Sequence, residues 1–180
     1  MPPPTHVAWL EAASVPAFLR LAAELAAGDE VRHTRAMQAL ARRHGAAMPE
    51  VDIPPFQPRS LEDMCTENAV EGCVRETFGA LVTGWQARTA GDADVRRALG
   101  PISRDELRHA ELAWAVDAWA AGRLSALERE RIRQARREAL SALEQEVSSQ
   151  VPPEHFVREA GVPSREQAMS LIHGMAGLVA

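Results

Sequence analysis

The stretch Asp-Glu-Val-Arg-His at residues 29–33 returns 76 positions later as Asp-Glu-Leu-Arg-His at residues 105–109. On an α-helix, a glutamate and a histidine three residues apart project from the same face. A carboxylate and an imidazole placed in this way can bind one transition metal ion, and two such helices that face each other can hold a pair of ions. The repeat therefore predicts two facing helices with a metal site between them.

Helical periodicity extends outward from both copies of the repeat. Apolar residues recur at helical spacing, the composition is rich in good helix formers, and the pattern predicts an all-α fold. The predicted helices cover residues 5–44, residues 61–89 after an N-cap at Ser60, a stretch from Asp92 or Asp94 to about Ala121, residues 123–148 and a short segment after Pro163. Within the third helix, Gly100-Pro101 is expected to produce a kink or an interruption.

The connection between the first two helices is rich in proline. Residues 46–59 contain Pro49, Pro54, Pro55 and Pro58, so this segment cannot be helical. In extended form, at about 3.3 Å per residue, it spans roughly 45 Å, which is about the length of a 30-residue helix. A connection this long predicts a crossover that joins two parallel helices of a bundle.

The set of reactive side chains is narrow. The 180 residues contain no tyrosine and no lysine, so all 20 residues counted as lysine or arginine are arginine. The absence of lysine excludes a Schiff-base nucleophile and a phosphate-loop lysine, and the absence of tyrosine excludes a tyrosyl radical. A net charge of −5 and an aromatic content of 4 % argue against nucleic-acid binding.

The cysteine pattern and the hydropathy predict a cytoplasmic location. Cys65 and Cys73 lie eight residues apart without a CxxC pattern, which indicates buried free thiols in a reducing compartment. No apolar run approaches the about 20 residues of a membrane span, and the first residues lack the regions of a signal peptide. We therefore expect no membrane association.

A two-metal site also needs carboxylates from further helices. Glu71 is the candidate on the second predicted helix and Glu11 the candidate on the first, and each has a phenylalanine seven residues later. This weak match suggests a duplicated helical hairpin in which each half supplies Glu and then Glu-x-x-His. Glu76 lies five residues after Glu71, and residues at this spacing lie on different faces of an α-helix. We therefore expect Glu76 to lie in an outer layer of residues around the ligands and not to bind metal itself.

With these residues the chain resembles the ferritin-like di-iron carboxylate proteins, which include rubrerythrins, bacterioferritins and the bacterial multicomponent monooxygenases. The resemblance covers roughly residues 6–121 and implies a four-helix bundle with a long crossover between its second and third helices. It also implies a centre of two iron ions, with manganese as the alternative. The metal ligands implied by the resemblance are Glu11, Glu30, His33, Glu71, Glu106 and His109.

The resemblance also implies roles for residues around the ligands. Asp29 and Asp105 would accept hydrogen bonds from the histidines, which fixes the tautomer of each ring and raises its basicity. Arg32 and Arg108 would pair with buried carboxylates, and Glu76 joins this outer layer.

The N-terminal half departs from the family pattern. Glu11 and Glu30 are 19 residues apart, so on one continuous helix they lie roughly 28 Å from each other and cannot share a metal pair. Three explanations are open: the first hairpin has been shortened, a second subunit supplies Glu11, or the site is vestigial. We favour a long first helix that is exchanged within a homodimer.

The sequence therefore predicts a ferritin-like bundle over residues 1–121 and a C-terminal helical extension over residues 122–180, which packs on the bundle or on a partner. The predicted function is to bind a non-haem di-iron or di-manganese centre for oxygen- or peroxide-dependent oxidation, as an oxidase or oxygenase of a small molecule, or for metal handling. The alternative is a metal-free helical scaffold or interaction protein with a vestigial site.

Overall fold

A computed structural model describes residues 15–47 and 59–179, and this part of the chain contains helices and no strand. The predicted all-α class is confirmed. The elements are α1 (Ala17–Arg43), α2 (Leu61–Glu67), a π-helical segment (Asn68–Glu76), α3 (Thr77–Thr89), α4 (Ala93–Ala121), α5 (Ala126–Ser149), α6 (Glu154–Glu159) and α7 (Arg165–Val179).

Side-chain caps fix two of the helix starts that the sequence predicts. The Ser60 hydroxyl accepts a hydrogen bond from the backbone N–H of Asp63, and the Asp63 carboxylate accepts one from the backbone N–H of Ser60. Asp92 accepts from the backbone N–H groups of Asp94 and Val95, at 2.6 and 3.3 Å. Such caps satisfy donors that the first turn of a helix leaves unpaired.

At Gly100-Pro101, where a kink or an interruption is expected, α4 is not interrupted and is continuous from Ala93 to Ala121. Pro101 is exposed, so water can reach the carbonyl group that its ring leaves without a helical partner. The Ser103 hydroxyl donates to the Gly100 carbonyl at 3.1 Å, which satisfies one backbone acceptor of this turn.

Helix α4 packs against α1 in antiparallel fashion. Near the start of α1, Ala23 packs in a cluster with Val116, which lies near the end of α4. Near the end of α1, Leu40 packs against a cluster that contains Val95, which lies near the start of α4.

The continuous helical stretch formed by α2, the π segment and α3 is also antiparallel to α4. Its early residue Cys65 shares a cluster with Ala120, and its late residue Ala87 packs against the cluster of Val95. Two stretches that are both antiparallel to α4 run parallel to each other. The end of α1 and the start of α2 therefore lie near opposite ends of α4.

The C-terminal helices α5 and α7 also pack on this helical stretch. Val74 of the π segment shares a buried cluster with Leu143 of α5 and with Ile172 and Met175 of α7. This packing places the π segment between α4 and α5.

Both cysteines are buried and free within the described residues, as the sequence predicts. Burial raises the pKa of the Cys65 thiol to about 11, which keeps the thiol protonated. Among the helices in the described ranges, none combines the length and the apolar character that a membrane crossing requires.

Candidate metal centre

The antiparallel packing of α1 and α4 brings the two copies of the repeated pentapeptide face to face. The Nε2 atom of His33 on α1 lies 3.1 Å from a carboxylate oxygen of Asp105 on α4. In the reciprocal contact, Nε2 of His109 on α4 lies 3.1 Å from a carboxylate oxygen of Asp29 on α1. Each copy of the repeat therefore orients the histidine of the other copy.

The charge on the two aspartates fixes the tautomer of both rings. Burial raises the pKa of Asp29, but hydrogen bonds from His109 and Arg32 outweigh it and leave this pKa below its usual value. The pKa of Asp105 is lowered in the same way by His33 and Arg108. Because an ionised carboxylate only accepts hydrogen bonds, each Nε2 carries a proton and donates it.

The arginines of the repeat complete this outer layer. Arg108 contacts Asp105 at 2.6 Å and Asp29 at 3.3 Å, and Arg32 forms an ion pair with Asp29 and lies 3.5 Å from Asp105. Each aspartate thus has one histidine and two arginines as partners. This layer balances its own charges and does not need a metal ion.

The inner nitrogen atoms of both histidines point at glutamates. Nδ1 of His33 lies 3.1 Å from an oxygen of Glu106 and 3.3 Å from an oxygen of Glu30. Nδ1 of His109 lies 3.2 Å from the same Glu30 oxygen, 3.7 Å from Glu76 and 3.8 Å from Glu106. The two ring centroids are 5.7 Å apart. Three carboxylates and two imidazoles thus meet in one place.

This inner layer consists of three carboxylates and two imidazole rings. Nδ1 of His33 is buried and has no hydrogen-bond partner among the described residues, although two carboxylate oxygens lie within 3.3 Å of it. In a neutral ring whose Nε2 carries the proton, Nδ1 is a lone pair. A lone pair that faces carboxylates in a buried place is unfavourable unless a proton or a metal ion lies between them.

The pKa values show how protons can fill that role. Hydrogen bonds to Glu30 and Glu76 raise the pKa of His109 to about 10. Burial, followed by the hydrogen bond with Glu76, raises the pKa of Glu106 to about 8. The pKa of Glu76 is lowered, mainly by its hydrogen bond with His109. Without a metal ion the cluster therefore binds extra protons at neutral pH.

Donor atoms of three of these residues are close enough to bind one ion. One atom each of Glu30, Glu106 and His109 lie within 4.8 Å of one another. Imidazole and carboxylate donors suit iron and manganese better than they suit soft metals. The residues present therefore fit a metal centre.

The π segment decides which glutamate of the second helical stretch reaches the cluster. Glu76 contacts His109, whereas the Glu71 side chain is 63 % exposed and lies 3.8 Å from Arg75. Hydrogen bonds in a π-helix connect residues five apart, so Glu76 lies about one turn after Glu71 on a similar side. The assumption of α-helical geometry assigned Glu76 to the outer layer, whereas the structure places its carboxylate among the inner glutamates.

Two contacts with α4 hold the π segment in place. The Asn68 side chain donates to the Ala113 carbonyl at 3.0 Å. At Gly72, an added Cβ would lie 2.8 Å from the Ala113 Cβ, so only glycine allows this close approach. Asn68 and Gly72 were absent from the sequence-based site. A glycine within a helical pattern is the one local signal for them, and it does not identify a π-helix.

The other predicted ligands are placed as follows. Glu30, His33, Glu106 and His109 lie in the cluster, while Glu11 lies outside the described residues. The Glu30 side chain is 59 % exposed and lines a cavity. No family model, curated protein or solved structure matches the chain, so comparison with known proteins assigns it to no family.

Proposed function

We propose that this protein binds a pair of iron or manganese ions between α1, α4 and the π segment. The residues that would hold the ions are Glu30, His33, Glu76, Glu106 and His109. One observation carries the proposal: the buried Nδ1 atom of His33 lies 3.1 and 3.3 Å from two carboxylate oxygens without a hydrogen-bond partner among the described residues. A metal ion bound here would have this nitrogen and both oxygens as ligands.

The fold gives the proposal further support. Helix α1 and the stretch from α2 to α3 are parallel, as a ferritin-like bundle with a long crossover requires, and the Glu-x-x-His pairs lie on antiparallel neighbours. We therefore propose that the helices form a ferritin-like bundle.

A bound iron pair supplies oxygen- or peroxide-dependent oxidation, either of iron itself or of a small molecule. The chain's own residues prepare the site for this chemistry. Asp29 and Asp105 fix the tautomers of the histidines, so both Nδ1 atoms are available as ligands. Glu106 and His109, whose pKa values are raised in the absence of metal, would release their protons if a metal ion bound. Glu30, Glu76 and His109 form the side of the cluster that borders a cavity.

Metal analysis of the purified full chain tests the proposal. After expression in iron-rich medium, we expect about two metal ions per chain, as in two-metal carboxylate bundles. Glu106→Ala removes a ligand and should abolish most of this content. Glu111→Ala is the matched control, because Glu111 is exposed on the same helix and should leave the metal content unchanged.

A second measurement separates the metal protein from the alternative of a metal-free scaffold. The metal-loaded wild type should consume oxygen when Fe²⁺ is added, and Glu106→Ala should not. If the wild type purifies without metal and its melting temperature does not change on addition of Fe²⁺ or Mn²⁺, the metal proposal is wrong and the scaffold function replaces it.

We also propose that the protein is a homodimer. Phe18, Leu21 and Leu25 occupy one side of α1 at spacings of three and four residues, and their exposed fractions are 68, 56 and 62 %. Apolar residues at this spacing are typical of a helix that packs on another helix. Light scattering should give twice the mass of one chain, and a monomeric mass for a fully metal-loaded sample would contradict the proposal.

A further inference from the structure

A cavity of about 550 Å³ lies directly beside the candidate metal centre. Glu30, Glu76 and His109 form one side of it, so the cavity borders three of the five candidate ligands. The other walls come from α1, α4 and the stretch of α2 and the π segment. A molecule in this cavity would lie against the metal-binding residues.

The walls of the cavity away from the glutamates are apolar. Ala23 and Ala26 contribute from α1, Leu112 and Val116 from α4, and Met64 from α2. The two alanines are small, so the space between the helices stays open. A cavity of about 150 Å³ lined by apolar residues binds benzene, so a cavity of 550 Å³ has room for a molecule with two or three rings.

The charged residues of the exposed side are paired. Arg59 forms an ion pair with Glu67, and Arg75 lies 3.8 Å from Glu71 and forms two hydrogen bonds with Glu146. A charged ligand would have to compete with these pairs. A neutral ligand keeps them intact and gains from contact with the apolar walls.

We propose that this cavity binds a neutral, mainly apolar molecule of two or three rings, with one end against Glu30 and Glu76. Binding itself follows from the volume and the walls of the cavity. The role of the bound molecule as the substrate of the metal centre rests on the proposed function.

The test uses 1-fluoronaphthalene as a probe and follows its fluorine resonance in solutions of the full chain. We expect saturable line broadening with the metal-free protein. Ala26→Phe places a ring in the cavity and should weaken binding at least tenfold. Ala39→Phe makes the same substitution at an exposed position of the same helix and should leave binding unchanged.

A second variant keeps the test decisive if Ala26→Phe does not fold. Leu112→Phe fills the cavity from the opposite wall and should also weaken binding at least tenfold. Loading the protein with paramagnetic Mn²⁺ should broaden the resonance of the bound probe further, because the cavity adjoins the metal ligands.

The outcomes distinguish this inference from the proposed function. If the protein binds no metal but still binds the probe in a manner that Ala26→Phe abolishes, the cavity inference stands and the metal proposal fails. If the protein binds metal but not the probe, the cavity inference is overturned. It is also overturned if folded Ala26→Phe and Leu112→Phe bind the probe as tightly as the wild type does.

Discussion

The sharpest prediction compares two glutamates that lie five residues apart on the same helical stretch. Glu76→Gln should remove a metal ligand, whereas Glu71→Gln should not. The two substitutions are chemically identical, and each removes one negative charge from the lining of the cavity. They differ in position, since Glu76 lies 3.7 Å from Nδ1 of His109 and Glu71 is 63 % exposed beside Arg75.

The expected magnitudes follow from these positions. Two unit charges about 4 Å apart interact by about 4 kcal/mol at an effective dielectric constant of about 20. Even residues that only orient metal ligands contribute about 10- to 100-fold to metal affinity, so loss of the Glu76 carboxylate should weaken binding by at least about 100-fold. The exposed Glu71–Arg75 pair is worth at most about 1 kcal/mol, which limits the effect of Glu71→Gln to about fivefold.

Isothermal titration of the metal-free proteins with Mn²⁺ measures both affinities, and circular dichroism checks that both variants fold. If Glu71→Gln loses the metal and Glu76→Gln keeps it, the α-helical interpretation of this segment is right and the reasoning from the π segment is refuted. If both variants bind as the wild type does, neither residue is a ligand.

Three further predictions concern the layers around the cluster. Asp105→Asn removes the charged acceptor of a ligand histidine and should weaken Mn²⁺ binding by about 10- to 100-fold, while Asp94→Asn on the same helix should not; equal affinities would contradict the orienting role. Gly72→Ala forces a Cβ to within 2.8 Å of α4 and should lower the free energy of unfolding by about 1–3 kcal/mol in urea titrations. Gly79→Ala, with nothing within 4 Å of the added Cβ, should instead raise it by about 0.5–1 kcal/mol, and equal losses would exclude the close approach as the cause. The melting temperature of the metal-free protein should fall from pH 6 to pH 9. The pKa of His109 is raised to about 10 and that of Glu106 is also raised, so the folded state binds protons that the unfolded chain releases over this range. A melting temperature that does not change with pH would show that the pKa values of these groups are not shifted.

The repeated pentapeptide made the centre of this site predictable. Its spacing identified Glu30, His33, Glu106 and His109 as one group, because helical periodicity relates residues three apart in any α-helix. The structure brings these four residues together. The all-α class was predictable for the same reason, since helix-forming residues and caps act locally.

The identity of the third glutamate was not predictable, because it depends on a change of helical geometry. An α-helix turns a residue at position five away from the starting face, whereas a π-helix returns it close to that face. The π segment is held by contacts of Asn68 and Gly72 with Ala113, 45 and 41 residues later in the chain. Interactions at that separation leave no local pattern in the sequence, so the α-helical assumption favoured Glu71.

The two layers of the cluster carry different weight as indications of function. The outer layer of aspartates, arginines and Nε2–H groups satisfies itself, so it would also be stable in a scaffold that never binds metal. In the inner layer, burial and the hydrogen bond with Glu76 raise the pKa of Glu106 to about 8, and hydrogen bonds to Glu30 and Glu76 raise that of His109 to about 10, so this layer holds protons where a metal ion would bind. A purely structural role would be served as well by neutral side chains of the same shape, because they avoid the cost of burying charge. Substitution of the inner glutamates therefore separates the proposed metal function from the scaffold alternative.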